Sequence, residues 1–207
     1  MTVTTIPQGI LGTNVYIFKS EDEICIIDPA FDATEIIYEV KKMGGSVKAI
    51  LLTHGHFDHI LAAHDLITEY ACPIYVHEAD EICLHNERAC MCMGKFGSKF
   101  TPIFNAKTFY EGYVVTIGSS EITAMHTPGH TPGSCIFITE DVIFSGDTLF
   151  NGTIGRTDFP RSSPHKMIES LKKISEIEGE YKIYPGHEGA TTLSSEKKRL
   201  DGYIRLL

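Results

Sequence analysis

The sequence predicts a layered α/β protein, with two sheets and helices on their outer faces. Two observations carry this. The first half alternates short apolar runs with segments of helical period, and the second half opens with four strand-like stretches in succession. A third observation sets the scale. A chain of 207 residues and 23.0 kDa suits one domain with an ample core, and no repeat, low-complexity tract or linker divides residues 1–207.

In order, NVYIF (14–18) and ICIID (24–28) read as buried strands meeting at a polar SEDE turn. Residues 33–43 place Ile36, Ile37, Val40 and Met43 at helical spacing, and Gly44-Gly45 stops the helix. VKAILL (47–52) is a strand running into the loop THGHFDH. A helix is expected over 58–70, with Ile60, Ala63, Ile67 and Tyr70 on one face. PIYVH (73–77) is a strand, and EADEICLHN a short helix. Residues 86–110 are irregular and read equally as a covering loop or a lid. The strands YVVTI, EITAMH, SCIFIT and DVIFSGD follow. A helix is expected at 164–177, with Ser163 as N-cap and Pro164 at its first position. KIYP (182–185) is the last strand, before a charged tail containing EKKR (196–199).

Bulk properties exclude several functions. The balance of 18 basic and 27 acidic residues, a net charge of −9, argues against a nucleic-acid partner, which needs a cationic face. No apolar run approaches the ~20 residues that span a bilayer, so no membrane role is expected. The start MTVTTIPQGILG has no signal-peptide pattern, and a cytoplasmic location is expected. Cys25 and Cys135 fall in apolar runs. Cys83, Cys90 and Cys92 lack the paired spacing of a soft-metal site, so the cysteines read as reduced packing residues.

The chemistry concentrates in residues 53–59, where His54, His56, Asp58 and His59 occupy six positions. With ten histidines and ten aspartates in the chain, roughly 10⁻³ such H-x-H-x-D-H patterns are expected by chance, so a functional reading is favoured. Imidazoles with a carboxylate suit borderline divalent ions such as Zn²⁺, Fe²⁺ or Mn²⁺. Further polar residues lie in glycine turns at strand ends: His130 in HTPGHTPGS, Asp147 in IFSGDTLF and His187 in YPGHEG. Together with residues 53–59 they make seven ligand residues, enough for two ions with one bridging carboxylate.

In this order, T-H-x-H-x-D-H, T-P-G-H-T, S-G-D and P-G-H resemble the metallo-β-lactamase superfamily. The resemblance spans nearly the whole chain and implies its αβ/βα sandwich, four layers with the metals at the sheet edges. It implies His54, His56 and His130 on one ion, Asp58, His59 and His187 on the other, and Asp147 between them. Asp28 is similar to the family's strand-end aspartate, which orients a ligand. The D-H pair, the SGD aspartate and GTIGRTDFP (152–160) resemble the short bacterial glyoxalase II-like branch, the last segment also persulfide dioxygenases. No helical C-terminal extension with basic residues, like that of classical glyoxalase II, is expected within residues 1–207. Only Arg156 and Lys197 to Arg199 suggest themselves as contacts for glutathione.

The resemblance implies a metal-dependent hydrolase of small thioesters, of the S-lactoylglutathione kind. Two cations, most simply Zn²⁺, would share a water and lower its pKa from 15.7 towards ~7. Asp58 would orient the attacking oxygen while binding metal. The competing expectations are an iron-dependent persulfide dioxygenase and, behind it, a nuclease or lactonase of the same fold. The oligomeric state stays open. His126 reads as a strand-end residue rather than a ligand, and Tyr184 and Ser134 as packing.

Overall fold

The computed structural model describes residues 1–93 and 99–207. The Gly94, Phe96 and Gly97 part of the segment read as a covering loop or a lid lies outside the described residues. Two six-stranded sheets face each other. The first comprises β1 (Thr2–Gln8), β2 (Thr13–Ser20), β3 (Glu23–Ile27), β4 (Ser46–Leu51), β5 (Ile74–His77) and β6 (Lys107–Phe109), in that spatial order. The second runs β12 (Thr191–Thr192), β11 (Lys182–Pro185), β10 (Val142–Gly146), β9 (Cys135–Thr139), β8 (Ser120–His126) and β7 (Val114–Ile117).

Alternation along the strands makes the layers. In β2, Tyr16 and Phe18 point into the core between the sheets, while Val15 and Ile17 point to the outer core of the first sheet. That outer core is covered by α1 (Ala33–Met43) and α2 (Ala63–Tyr70), through Ile36, Val40 and Leu66. α3 (Pro164–Ser175) and α4 (Leu193–Leu206) cover the second sheet through Met167, Leu171, Leu193 and Leu200. The result is the four-layer αβ/βα sandwich.

Local chemistry sets the boundaries. The Asp32 carboxylate accepts from the Thr34 N–H at 2.9 Å to open α1, and Gly44, at φ +64°, closes it. Ser163 caps α3 by accepting from the Lys166 N–H at 3.3 Å, with Pro164 in the first turn.

Two expectations are corrected, and the short helix expected after residue 77 is present in 3₁₀ form, Glu78–Leu84. The single helix over 58–70 is a 3₁₀ turn, Phe57–His59, separated from α2. The Ala62 N–H leaves helical pairing for the carbonyls of Pro29 and Ala30, at 3.2 and 3.1 Å. EKKR belongs to α4 rather than a loose tail. There Glu196 is fully buried, accepting from the Thr191 hydroxyl at 2.7 Å, Arg199 at 2.8 Å and Tyr203 at 3.1 Å.

Candidate metal centre

All seven sequence-predicted ligands meet at one end of the sandwich, where loops leave the carboxyl ends of β4, β8, β10 and β11. His54 and His56 leave β4, and Asp58 and His59 sit in the 3₁₀ turn that follows. His130 lies between β8 and β9, Asp147 follows β10, and His187 follows β11. The potential donor atoms of His54, His56 and His130 lie within 4.8 Å of one another, as do those of Asp58, His59 and His187. Asp147 stands between the groups. Its Oδ1 is 3.4 Å from His59 Nε2, and its Oδ2 is 3.3 Å from His130 Nε2 and 3.5 Å from His187 Nε2.

Hydrogen bonds aim these nitrogens. His59 Nδ1 lies 2.9 Å from Asp28 Oδ2, His130 Nδ1 2.9 Å from the Arg156 carbonyl, and His187 Nδ1 3.1 Å from the Leu11 carbonyl. Each contact assigns the proton to Nδ1 and turns the Nε2 lone pair inward. His54 is held by relay, its Nδ1 3.2 Å from the Thr53 hydroxyl, which donates to Asp28 at 2.6 Å. Asp28 therefore orients a ligand from each group. It does so from a left-handed backbone at φ +51°, a conformation aspartate tolerates better than most residues. The Thr13 hydroxyl fixes Asp58 Oδ2 at 2.9 Å. A side chain at Gly186 would meet Asp147 Oδ1 at 2.2 Å, so only glycine lets that strand end pass.

This donor set fits divalent cations. His54 Nε2, His59 Nε2 and Asp147 Oδ1 are buried without a hydrogen-bond partner in the protein. His56 Nδ1 faces His130 Nε2 at 2.9 Å, two ring nitrogens converging on one point. Burial pushes His54 well below the usual histidine range, and burial with the neighbouring His130 pushes His56 down to about 3. These imidazoles stay neutral, the form that binds metal. Around the other group burial opposes charge, yet Asp58 and Asp147 hold His59 well above the histidine range. Burial likewise works against protonation of His187, but bonds to Asp147 and Asp58 raise it to about 10. Against its own burial, Asp147 is held well below the carboxylate range by His59 and His187.

Sequence reasoning missed Asp80. Fully buried, it accepts from the Gly55 N–H at 3.0 Å, the Gly133 N–H at 3.0 Å and the Thr131 hydroxyl at 2.6 Å. One carboxylate thus ties the loop carrying His54 and His56 to the loop carrying His130. No motif marked it; its only signal is an acid in an otherwise half-buried turn. His126 stacks on His77 at 3.9 Å, outside the cluster. Tyr184 packs on Phe144, and Ser134 bonds Thr131. All six cysteines are unpaired, and Cys83, Cys90 and Cys92 lie in the first outer core. Lys197 donates to the Ile177 carbonyl and Arg199 to Glu196, so neither reaches the site.

Five of the seven candidate residues, His56, Asp58, His130, Asp147 and His187, open onto a cavity of about 300 Å³. A larger one, of about 700 Å³, lies beside α2 and contains none of the seven.

A sandwich of this layering, with histidines and aspartates gathered at its strand ends, defines a metallo-hydrolase architecture. The profile of the metallo-beta-lactamase superfamily matches residues 9–187, and the chain belongs to that superfamily. It is 33% identical to the hydroxyacylglutathione hydrolase GloC of Haemophilus influenzae, with 96% of each chain covered. Among solved structures it is similar to the BLEG-1 B3 metallo-beta-lactamase, at TM-score 0.88 and 31% identity over 99% of each chain. It is also similar to TTHA1623 in a di-iron-bound form, at TM-score 0.84 and 31% identity, covering 94% of this chain and 96% of that one.

Proposed function

We propose that this protein is a metal-dependent hydrolase of acyl thioesters that works with two divalent ions. The observation that carries the reading is Asp147, whose carboxylate reaches both ligand groups, Oδ2 facing His130 and His187 and Oδ1 facing His59. His54, His56 and His130 would hold one ion, Asp58, His59 and His187 the other, with Asp147 serving both. When bound, such ions acidify a water and polarise an acyl oxygen. The chain's own residues do the positioning. Asp58, steadied on one oxygen by Thr13, has the other available to orient the attacking water. Asp28 and Thr53 keep His59 and His54 in the tautomer that faces inward. The hydroxyacylglutathione hydrolase relative supports a thioester as substrate.

Zinc suits the ligand set. The di-iron form of a similar structure makes iron the competing occupant. The acidic surface supports a small-molecule partner over nucleic acid, and the six unpaired cysteines fit a reducing compartment such as the cytosol. The test is elemental analysis of metal-saturated protein alongside a thioester-cleavage assay. Two equivalents per chain with cleavage are expected. One equivalent or fewer, with no cleavage, would overturn the reading and favour an iron-dependent dioxygenase.

A further inference from the structure

Apart from five metal-ligand residues, seven described residues line the cavity at the metal centre, and six of them are apolar: Leu11, Phe57, Met91, Phe150, Ile154 and Phe159. The seventh, Arg156, is already engaged. Its Nε and Nη2 donate to the two carboxylate oxygens of Asp158 at 2.9 and 2.8 Å, and its guanidinium lies 4.4 Å over the Phe159 ring. This bidentate pair already occupies one edge of the guanidinium, on two side chains that are each 66% exposed.

The apolar groups are part of the centre. Phe159 stands edge-on to His56 and His130, both at 5.6 Å between ring centroids, and Phe150 edge-on to His187 at 5.9 Å. Met91 is set by the backbone. It holds φ +63° between Cys90 and Cys92, both fully buried, and the Cys90 carbonyl accepts from the Phe57 N–H at 2.9 Å. A methionine rarely takes that conformation without surroundings that enforce it.

The reacting carbonyl must lie against the metal ligands, so the substituent on its carbon falls within reach of these rings. Resting on the hydrolase reading, we propose that the acyl group is apolar, an aryl- or alkyl-acyl chain seated against Phe150, Phe159 and Met91. The thiol carrier then points outward, and its charge is not read. Burying an apolar substituent against these six described side chains is favourable, whereas a hydroxyl seated against them would leave water without a side-chain partner among them.

Four thioesters test this: phenylacetyl and lactoyl groups, each on glutathione and on neutral N-acetylcysteamine. With metal-loaded protein, phenylacetyl esters should exceed lactoyl esters in kcat/KM at least tenfold on both carriers, about 1.4 kcal/mol. Glutathione should confer less than a tenfold advantage. Phe159→Ala should narrow the phenylacetyl-to-lactoyl ratio. A lactoyl preference, a larger glutathione advantage, or a ratio untouched by Phe159→Ala would overturn the proposal. Calorimetric binding of phenylacetate against acetate reads the wall without turnover, because both offer the same carboxylate and neither carries a chelating hydroxyl. If no ester is cleaved but phenylacetate binds at least tenfold tighter, the hydrolase reading fails and the apolar acyl site stands. Equal binding would remove the site as well.

Discussion

On the proposed two-ion reading, Asp147 would carry the largest share of the site's chemistry in one side chain. Its carboxylate spans both ligand groups, and an amide of the same shape cannot neutralise two cations. Asp147→Asn is expected to lower thioester kcat/KM at least a hundredfold, about 2.7 kcal/mol, while circular dichroism stays native. Near-normal turnover in folded, metal-loaded protein would remove Asp147 from the bridging role. Asp80 differs in touching no ligand side chain. Asp80→Asn leaves at least one buried N–H or hydroxyl badly paired, a cost of about 1–3 kcal/mol. It also frees the His54–His56 and His130 loops from each other. A metal titration should show affinity falling about 10–100-fold, as for other groups that support ligands; unchanged affinity would make Asp80 a packing residue. Of these two aspartates only Asp147 was legible in the sequence, because it stands in a glycine turn at a strand end. Asp80 acts through backbone N–H groups about 25 and 50 residues away, and no local pattern encodes that.

Among elements, α3 was legible because Ser163 and Pro164 announce its start and Met167, Leu171 and Ile174 repeat at helical spacing. The cap also meets the site, since the Ser163 N–H donates to the Gly129 carbonyl at 2.8 Å, next to His130. Ser163→Ala should cost about 1 kcal/mol and lower Tm by roughly 2–4 °C in a protein of this size. A thermal melt shows it, and no shift would mean the hydroxyl is not holding the helix. What sequence reasoning missed has physical causes. β1 is an edge strand with three threonines among its seven residues and Pro7 inside it, a strand signal diluted by polar residues. β6 is three residues long and defined by its parallel pairing with β5. α4 hid because its inward face includes a charge, Glu196, which is satisfied partly from outside the helix, by the Thr191 hydroxyl and the Gly152 N–H. The break between the 3₁₀ turn and α2 arose the same way, from Ala62 bonding across to Pro29 and Ala30.

For the whole molecule, buried histidines tie stability to pH. His77 lies outside the metal centre, and burial together with the stacked His126 lowers it to about 4. Its folded value is below that of an unfolded histidine, near 6.5. The unfolded chain therefore binds a proton that the folded chain refuses, and stability declines as pH falls from about 6.5 towards 4, levelling below that. Melts at pH 7.5 and pH 5 should show a smaller loss in His77→Asn than in the parent. Equal losses would mean His77 does not set that slope.

The chain's division of labour has a consequence for its lifetime. Every strand of the first sheet comes from residues 2–109 and every strand of the second from residues 114–192. Each ligand group draws on both, His54 and His56 with His130, and Asp58 and His59 with His187. Bound ions would thus rivet the two halves of the gene product together at their open end. Ligand at a thousand times its dissociation constant adds about 4 kcal/mol to a native state, so metal supply would decide how often the seam parts. Proteases sample that parting. Chelated protein should be cut first at the loops leaving β4 and β10, and added metal should restore resistance, so a cell would retain the copies it has loaded and clear those it has not.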